Sequence, residues 1–266
     1  MPFHIVVCAG LVPDPLQSLE PVTGPNGPGL KNEQMLPSVI DPWAAHALFE
    51  AAHLAKQQAG SKVYLASLAP KAKLQQVLMV VAQKAPFELV AVDGPANGFT
   101  DASACAAALA DAIAAIPALD RQQLLLFGGW ESASRAAGTT LQMVGEKLGI
   151  TEQFQGVDAL TVNADGSLEI LERIEGGRHQ VSSCAGAPAV LGWATGSLHE
   201  PPNNPQLGMQ NMRTLMPSLQ KAKPAAVPVA GTFASVAVPS QRRETRVVKD
   251  QTPDAIAQEI VEWIRQ

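Results

Sequence analysis

Paired cysteines, clustered cations and long apolar runs are missing from this chain, and each absence removes a class of function. Its three cysteines, Cys8, Cys105 and Cys184, lie far apart and none falls in a CxxC pair, the spacing that zinc and iron–sulfur sites usually need. A reduced, cytoplasmic setting is the expectation. The formal net charge is −5, charged residues make up 16% of the chain, and no Lys/Arg cluster is longer than Arg242-Arg243. Such a chain has no cationic field for phosphate backbones, so nucleic acid is not an expected partner. No apolar run reaches membrane-spanning length, and the first residues already read as a strand, so neither membrane insertion nor a signal or transit peptide is expected.

What is present is apolar residue in quantity: 47% of 266 residues, enough for a sizeable core in one large α/β domain, with or without an extended arm. Phe3 to Cys8 reads as a buried strand ended by Gly10 and Pro13. Between Pro13 and Pro37 proline and glycine recur, including Gly24-Pro25-Asn26-Gly27-Pro28-Gly29, which predicts a surface excursion without an element of its own. Asp41 caps a helix with Pro42 at its first position, running from Trp43 to Gln58. Then follow a strand over 63–68, a helix over 73–84, a strand over 87–92, an alanine-rich helix over 101–115 with Thr100 as cap, a strand over 123–127, and a helix over 136–148. Strands alternating with helices of this length predict a parallel sheet with helices on both faces.

After Gly149 the rhythm changes. Residues 158–163 and 168–174 read as a hairpin around Ala164-Asp165-Gly166, and 189–193 as one further strand. Residues 194–246 contain ten prolines and glycines and one short helix, 212–221, which reads as an arm draped over another body. A final helix, 255–265, follows Thr252-Pro253-Asp254. The expected organisation is a nucleotide-binding core over 1–193 and a recognition loop with C-terminal arm over 194–266.

In doubly wound sheets, ligands bind beyond the carboxyl ends of the strands, where helix N-termini aim amide protons at phosphates. Those ends here are Cys8-Ala9-Gly10, Leu68-Ala69-Pro70, Asp93-Gly94-Pro95 and Gly128-Gly129-Trp130-Glu131-Ser132. In the last, a glycine pair lets backbone approach a ligand, and Ser132, Ser134, Thr139 and Thr140 would add hydroxyl donors. The alternative is that the glycines merely end a strand and Ser132 or Ser134 caps the next helix.

The second half carries the most specific pattern: Leu168-Glu169-Ile170-Leu171-Glu172-Arg173-Ile174-Glu175-Gly176-Gly177, then Ala187-Pro188-Ala189-Val190, then Met216-Pro217-Ser218-Leu219-Gln220-Lys221-Ala222-Lys223-Pro224. With Val12-Pro13-Asp14, Ile40-Asp41-Pro42-Trp43 and Pro239-Ser240-Gln241-Arg242-Arg243, this order of landmarks resembles the β subunit of electron transfer flavoproteins. The resemblance implies a Rossmann-like α/β fold of the adenine nucleotide-binding type with a C-terminal extended arm wrapping an α subunit. It further implies an electron carrier without substrate turnover of its own. FAD would be shared with the α subunit, and single electrons would pass from a flavin-dependent dehydrogenase to a quinone reductase or another acceptor.

It also implies an adenine nucleotide, AMP or a second FAD, at the loop after the 123–127 strand. The residues matched to that site are Cys8, Ala9, Asp41, Leu68, Ser132, Ser134, Gly138, Thr139 and Thr140. The match departs from the family in several places. Thr139 and Leu141 fall where the family has Gln and Gly, Gly10 falls at a usual Lys, and Asp41-Pro42-Trp43 replaces Asn-Pro-Phe. A carboxylate near a phosphate repels it, so AMP, a second FAD and an empty loop all stay open. Glu175-Gly176-Gly177 is a subunit-packing turn on this reading. Leu215-Met216-Pro217 occupies the place of the recognition loop, with Leu215 and Met216 as docking anchors; the alternative is that both are the apolar face of a short helix.

Other constellations do not close. His46 and His53 share a helix face without a carboxylate or cysteine to complete a metal set, Cys184 and His179 have no third member, and Ser132 does not sit in a Gly-x-Ser-x-Gly elbow. Two stand-alone nucleotide-binding readings remain as alternatives to the carrier. An adenylating enzyme is suggested because Gly128-Gly129-Trp130-Glu131-Ser132 resembles a pyrophosphate loop, although that loop belongs after the first strand. A universal-stress-like sensor would have no need of the arm after Ala194.

Overall fold

The computed structural model describes residues 2–24, 27–95, 100–134, 136–225, 227 and 246–265. Pro25, Asn26 and the segment from Pro239 to Arg243, all invoked above, lie outside the described residues. Two compact units are present, 1–236 and 237–266.

The first unit runs β1 (His4–Cys8), β2 (Leu11–Pro13), β3 (Pro21–Gly24), β4 (Gly27–Leu30), β5 (Ser38–Ile40), α1 (Pro42–Gln57), β6 (Lys62–Ala69), α2 (Lys71–Val81), β7 (Glu88–Asp93) and α3 (Ala102–Ala114). It continues with β8 (Leu124–Gly129), α4 (Thr139–Lys147), β9 (Gln153–Val162), β10 (Leu168–Ile174), β11 (Arg178–Cys184), β12 (Ala189–Trp193), α5 (Pro205–Gln220) and β13 (Lys223–Pro224). Among the described residues nine strands form one sheet in the order β11-β10-β9-β12-β8-β1-β6-β7-β13. The pairings from β9 to β13 are parallel, whereas β9, β10 and β11 form an antiparallel meander. This is the α/β, Rossmann-like arrangement expected from the alternation of strands and helices.

The centre of the sheet is buried on both faces, which is why its strands are continuous apolar runs without an in/out alternation. Ile5, Val7, Leu125, Phe127, Leu191 and Trp193 face one core, with α1, α2 and α5. Val6, Leu124, Leu126 and Val190 face the other, with α3 and α4. Asp41 caps α1 as expected, its carboxylate accepting the Trp43 N–H at 3.2 Å with Pro42 at the first helical position. At α3 the cap is Asp101, accepting the Ala104 N–H at 2.9 Å. Thr100, expected there, instead donates its hydroxyl to the Pro95 carbonyl at 3.4 Å.

Four further expectations change. The 13–37 excursion carries elements of its own, because Leu11–Pro13 pairs with Ser38–Ile40 and Pro21–Gly24 with Gly27–Leu30. A strand not foreseen, β11, follows the Glu175-Gly176-Gly177 turn. Gly176 and Gly177 have φ of 73° and 69°, the left-handed pair that a tight hairpin turn requires. The helix expected over 136–148 begins only at Thr139, so neither Ser132 nor Ser134 caps it; Gly138 holds the cap position without a side-chain bond. The last and largest change is α5.

Residues 205–220 form a sixteen-residue helix, where a loop and a short helix were expected. Asn204 caps it, accepting the Gln206 and Leu207 N–H groups at 3.1 and 3.2 Å, and Pro205 takes the first helical position, where no N–H is needed. The helix start is tied to the end of α2: Asn204 N donates to the Gln83 carbonyl at 3.0 Å, and Asn211 Nδ2 donates to the Ala82 and Ala85 carbonyls at 2.7 and 3.0 Å. A Cβ on Gly208 would meet Gln83 Cγ at 2.6 Å, so glycine there is a condition of close approach. Gly208, Leu215 and Leu219 form the buried stripe, at helical spacing. Leu215 is 0% exposed and belongs to the core, which removes it as a protruding anchor. Met216 is half-buried and packs against the same cluster.

In the second unit, α6 (Pro253–Arg265) has Asp254 in its first turn, and the Ala255 N–H donates to Thr252 Oγ1 at 3.3 Å. Arg246 pairs with Glu259. No helix among the described residues is long and apolar enough to cross a membrane.

If α5 is a core element, Leu215→Ala should destabilise the fold by about 2–5 kcal/mol, the usual range for a buried leucine. Denaturant unfolding measures this; a change under about 0.5 kcal/mol, the range of exposed sites, would return the segment to a loop.

Candidate functional site: a cleft at the switch point of the sheet

Chain order reverses beside β1. The chain passes from β1 to β6 and β7 on one side, then α3 carries it back across to β8 on the other, with His4 through Cys8 in register with Leu124 through Gly128. The carboxyl ends of β1 and β8 therefore diverge into a crevice, the position at which doubly wound sheets bind ligands. A cleft of about 150 Å³ lies there. It is lined by Cys8, Ala9, Asp41, Leu68, Ser132, Ser134, Gly138 and Thr140, eight of the nine residues matched to a nucleotide from the sequence. Thr139 is exposed and does not line it.

Packing at the strand ends explains the glycines. A Cβ on Gly128 would lie 2.9 Å from Leu141 Cδ1 and 3.2 Å from the Cys8 carbonyl, and one on Gly129 would meet Trp43 Cβ at 2.7 Å. The glycine pair is the consequence of α1 and α4 closing on β8. Gly138 lies against the Trp130 carbonyl so closely that no side chain fits.

Asp41 is the polar centre of the cleft. It is 4% exposed, and its Oδ2 accepts the Ser132 hydroxyl at 2.9 Å and the Ala133 N–H at 2.9 Å, while Oδ1 holds the start of α1. Ser132 Oγ, its own proton given to Asp41, also accepts the Ser134 N–H at 3.2 Å and the Ser134 hydroxyl at 2.8 Å. Burial raises the Asp41 carboxyl above its usual range, opposed by the bonds from Ala133, Ser132 and Trp43. Burial pushes the Cys8 thiol up to about 12, so at neutral pH it is not a thiolate nucleophile.

Glu131, Thr100, Gly10 and Cys105 also line the cleft; the sequence placed Gly10 and Glu131 at strand ends and Thr100 at a helix cap, but matched none of the four to the nucleotide. The signal for Glu131 was its place in the Gly128-Gly129-Trp130-Glu131-Ser132 strand end. Among the described residues no group of His, Cys, Asp and Glu is arranged to hold a metal ion. His179, on β11, bonds Asp158 Oδ2 at 2.9 Å, and Cys184 donates to the Gly186 carbonyl; they do not form a nucleophile–base pair.

The electron transfer flavoprotein domain matches residues 31–229 of the chain, well over half its length, and takes in Asp41, the β8–α4 loop, the meander and α5. The chain belongs to the electron transfer flavoprotein family. No curated protein matches it at a significant level. Members of the family are electron carriers.

An adenine nucleotide, the group this loop would be expected to hold, fits the residues present poorly. About 150 Å³ is below the roughly 300–1,000 Å³ of ordinary small-molecule sites. The described lining has carboxylates at Asp41 and Glu131 and no Lys, Arg or His. The start of α4 brings the positive end of a helix dipole, which favours an anion, although its first N–H, that of Thr139, already donates to the Ala137 carbonyl at 2.9 Å.

The raised Asp41 carboxyl has a definite consequence for stability. Its contribution is fully present below the ordinary carboxylate range, about 4, and is lost as pH rises through its higher value in the folded protein. Relative to Asp41→Asn, the wild type should therefore become less stable as pH rises from about 4 toward neutrality. Unfolding free energies of the two proteins across that window measure it; a difference that is flat or grows with pH would show that the carboxylate is not penalised by burial.

Proposed function

We propose that this chain is the β subunit of a heterodimeric electron transfer flavoprotein. It would help an α subunit hold FAD and dock a flavin-dependent dehydrogenase, from which single electrons pass to the carrier flavin and on to a quinone reductase or other acceptor. The family match over residues 31–229 carries this reading. In it the flavin supplies the redox chemistry, and this chain supplies binding surface and flavin environment.

Two features of the chain support the need for a partner. In α6, Ile260, Trp263 and Ile264 form a stripe at helical spacing; they are 45%, 61% and 78% exposed, and no residue of the helix is buried. A helix with such a stripe is stabilised mostly by packing it against another surface, which an α subunit would provide. At the sheet edge, among the described residues, β11 pairs with β10 on one side only and leaves Val181 63% exposed, and unpaired edges of this kind invite another chain.

The docking surface for a dehydrogenase is placed, in this proposal, on the outer side of α5 and the residues before it. Leu215 is unavailable, Met216 is half-buried, and Met209, 64% exposed, offers the adaptable thioether that suits a partner-binding anchor. The stand-alone nucleotide-binding alternatives gain nothing from a cleft this small and acidic.

Co-expressed with an α subunit, the double variant Trp263→Glu/Ile264→Glu should cut recovery of flavin-containing heterodimer at least tenfold, while the isolated chain keeps its far-UV spectrum and unfolding midpoint. Full recovery would show that α6 contributes nothing to the partnership. Met209→Glu should slow flavin reduction by the dehydrogenase without lowering flavin content.

A further inference from the structure

The donors at the head of the β8–α4 loop are already in use. The Ala133 N–H and the Ser132 hydroxyl, both just past a glycine pair at the carboxyl end of a central strand, converge on one oxygen at 2.9 Å each, and that oxygen is Asp41 Oδ2. Ser134 is drawn in behind, its N–H and hydroxyl both directed at Ser132 Oγ. A backbone N–H and a hydroxyl converging on an oxyanion is the donor set with which such loops take phosphate. Here the oxyanion comes from α1 of the same chain.

We propose that Asp41 is a built-in anion occupying the phosphate position of this loop, so that the cleft excludes adenine nucleotides and the loop is ordered by the protein itself. For where the flavin sits, this rests on the subunit reading above. Charge, size and connectivity agree. A phosphate entering the cleft would face Asp41 and Glu131 without a cation among the described lining residues, and like charges at contact distance oppose binding strongly. The space of about 150 Å³ admits a fragment of a nucleotide only. The carboxylate also caps α1 through Oδ1, so displacing it would uncap a helix as well as break the loop bonds. At the start of α4 the Thr139 N–H already donates to the Ala137 carbonyl at 2.9 Å, and the Thr140 hydroxyl at the cleft has no cation beside it among the described lining residues to complete a phosphate site.

The test is a nucleotide count on acid-denatured, purified heterodimer, followed by calorimetric titration with AMP. The wild type should release FAD without AMP and show no AMP binding at millimolar concentration. Asp41→Asn, which removes the charge and keeps the shape, should raise the AMP association constant about tenfold or more. One AMP per FAD, a second FAD per heterodimer, or micromolar AMP binding by the wild type would overturn the proposal. A preparation without flavin would count against the subunit reading instead, and the AMP titration of that protein would still decide between the two outcomes here.

Discussion

Strands β1 and β8 lie side by side at the middle of the sheet, parallel and in register from His4–Leu124 to Cys8–Gly128, and the other elements take their places from that pairing. Parallel neighbours cannot be joined by a tight turn, so each needs a long return over one face of the sheet. The direction of return reverses between β7 and β8, which puts α1, α2 and α5 on one face and α3 and α4 on the other. The same reversal splits the strand ends and opens the cleft. A site at this point is thus a consequence of topology, before any side chain is considered.

What fills that site is decided by one side chain. Asp41 joins the start of α1 to the loop after β8 through three accepted hydrogen bonds within a small, largely apolar space. Burying a carboxylate is costly unless its oxygens are satisfied, and the serine hydroxyl and backbone N–H groups satisfy them. The loop thereby acquires an internal anion in place of an external one. In a family whose members carry electrons, the sheet and its loops here give a scaffold whose switch-point loop is held by the chain's own carboxylate.

Much of the sheet was legible from the sequence because its physics is local. Runs such as Ile5-Val6-Val7 and Leu124-Leu125-Leu126-Phe127 have no polar break, and a strand buried on both faces allows none. β12 was read with its observed ends, 189–193. β11 was missed because Arg178, His179, Gln180, Ser182 and Ser183 give it no apolar face; it exists by pairing with β10 after a double-glycine turn. α5 was shortened because Pro205, Gly208 and Pro217 all read as breakers. Pro205 is harmless at a first helical position, Gly208 is required by Gln83, and the stripe through Leu215 and Leu219 holds the helix together across Pro217. At the site, the strand ends could be named from the sheet rule alone. The bond between Asp41 and Ser132 could not, since it joins residues 91 apart and only the closed fold brings them together.

The account stands on this chain being half of a flavin carrier, and the most direct measurement is gel filtration of the chain co-expressed with an α subunit, read at flavin wavelengths. The account predicts a yellow 1:1 heterodimer whose flavin elutes with both chains. A stable, colourless monomer with no affinity for the α subunit would contradict it.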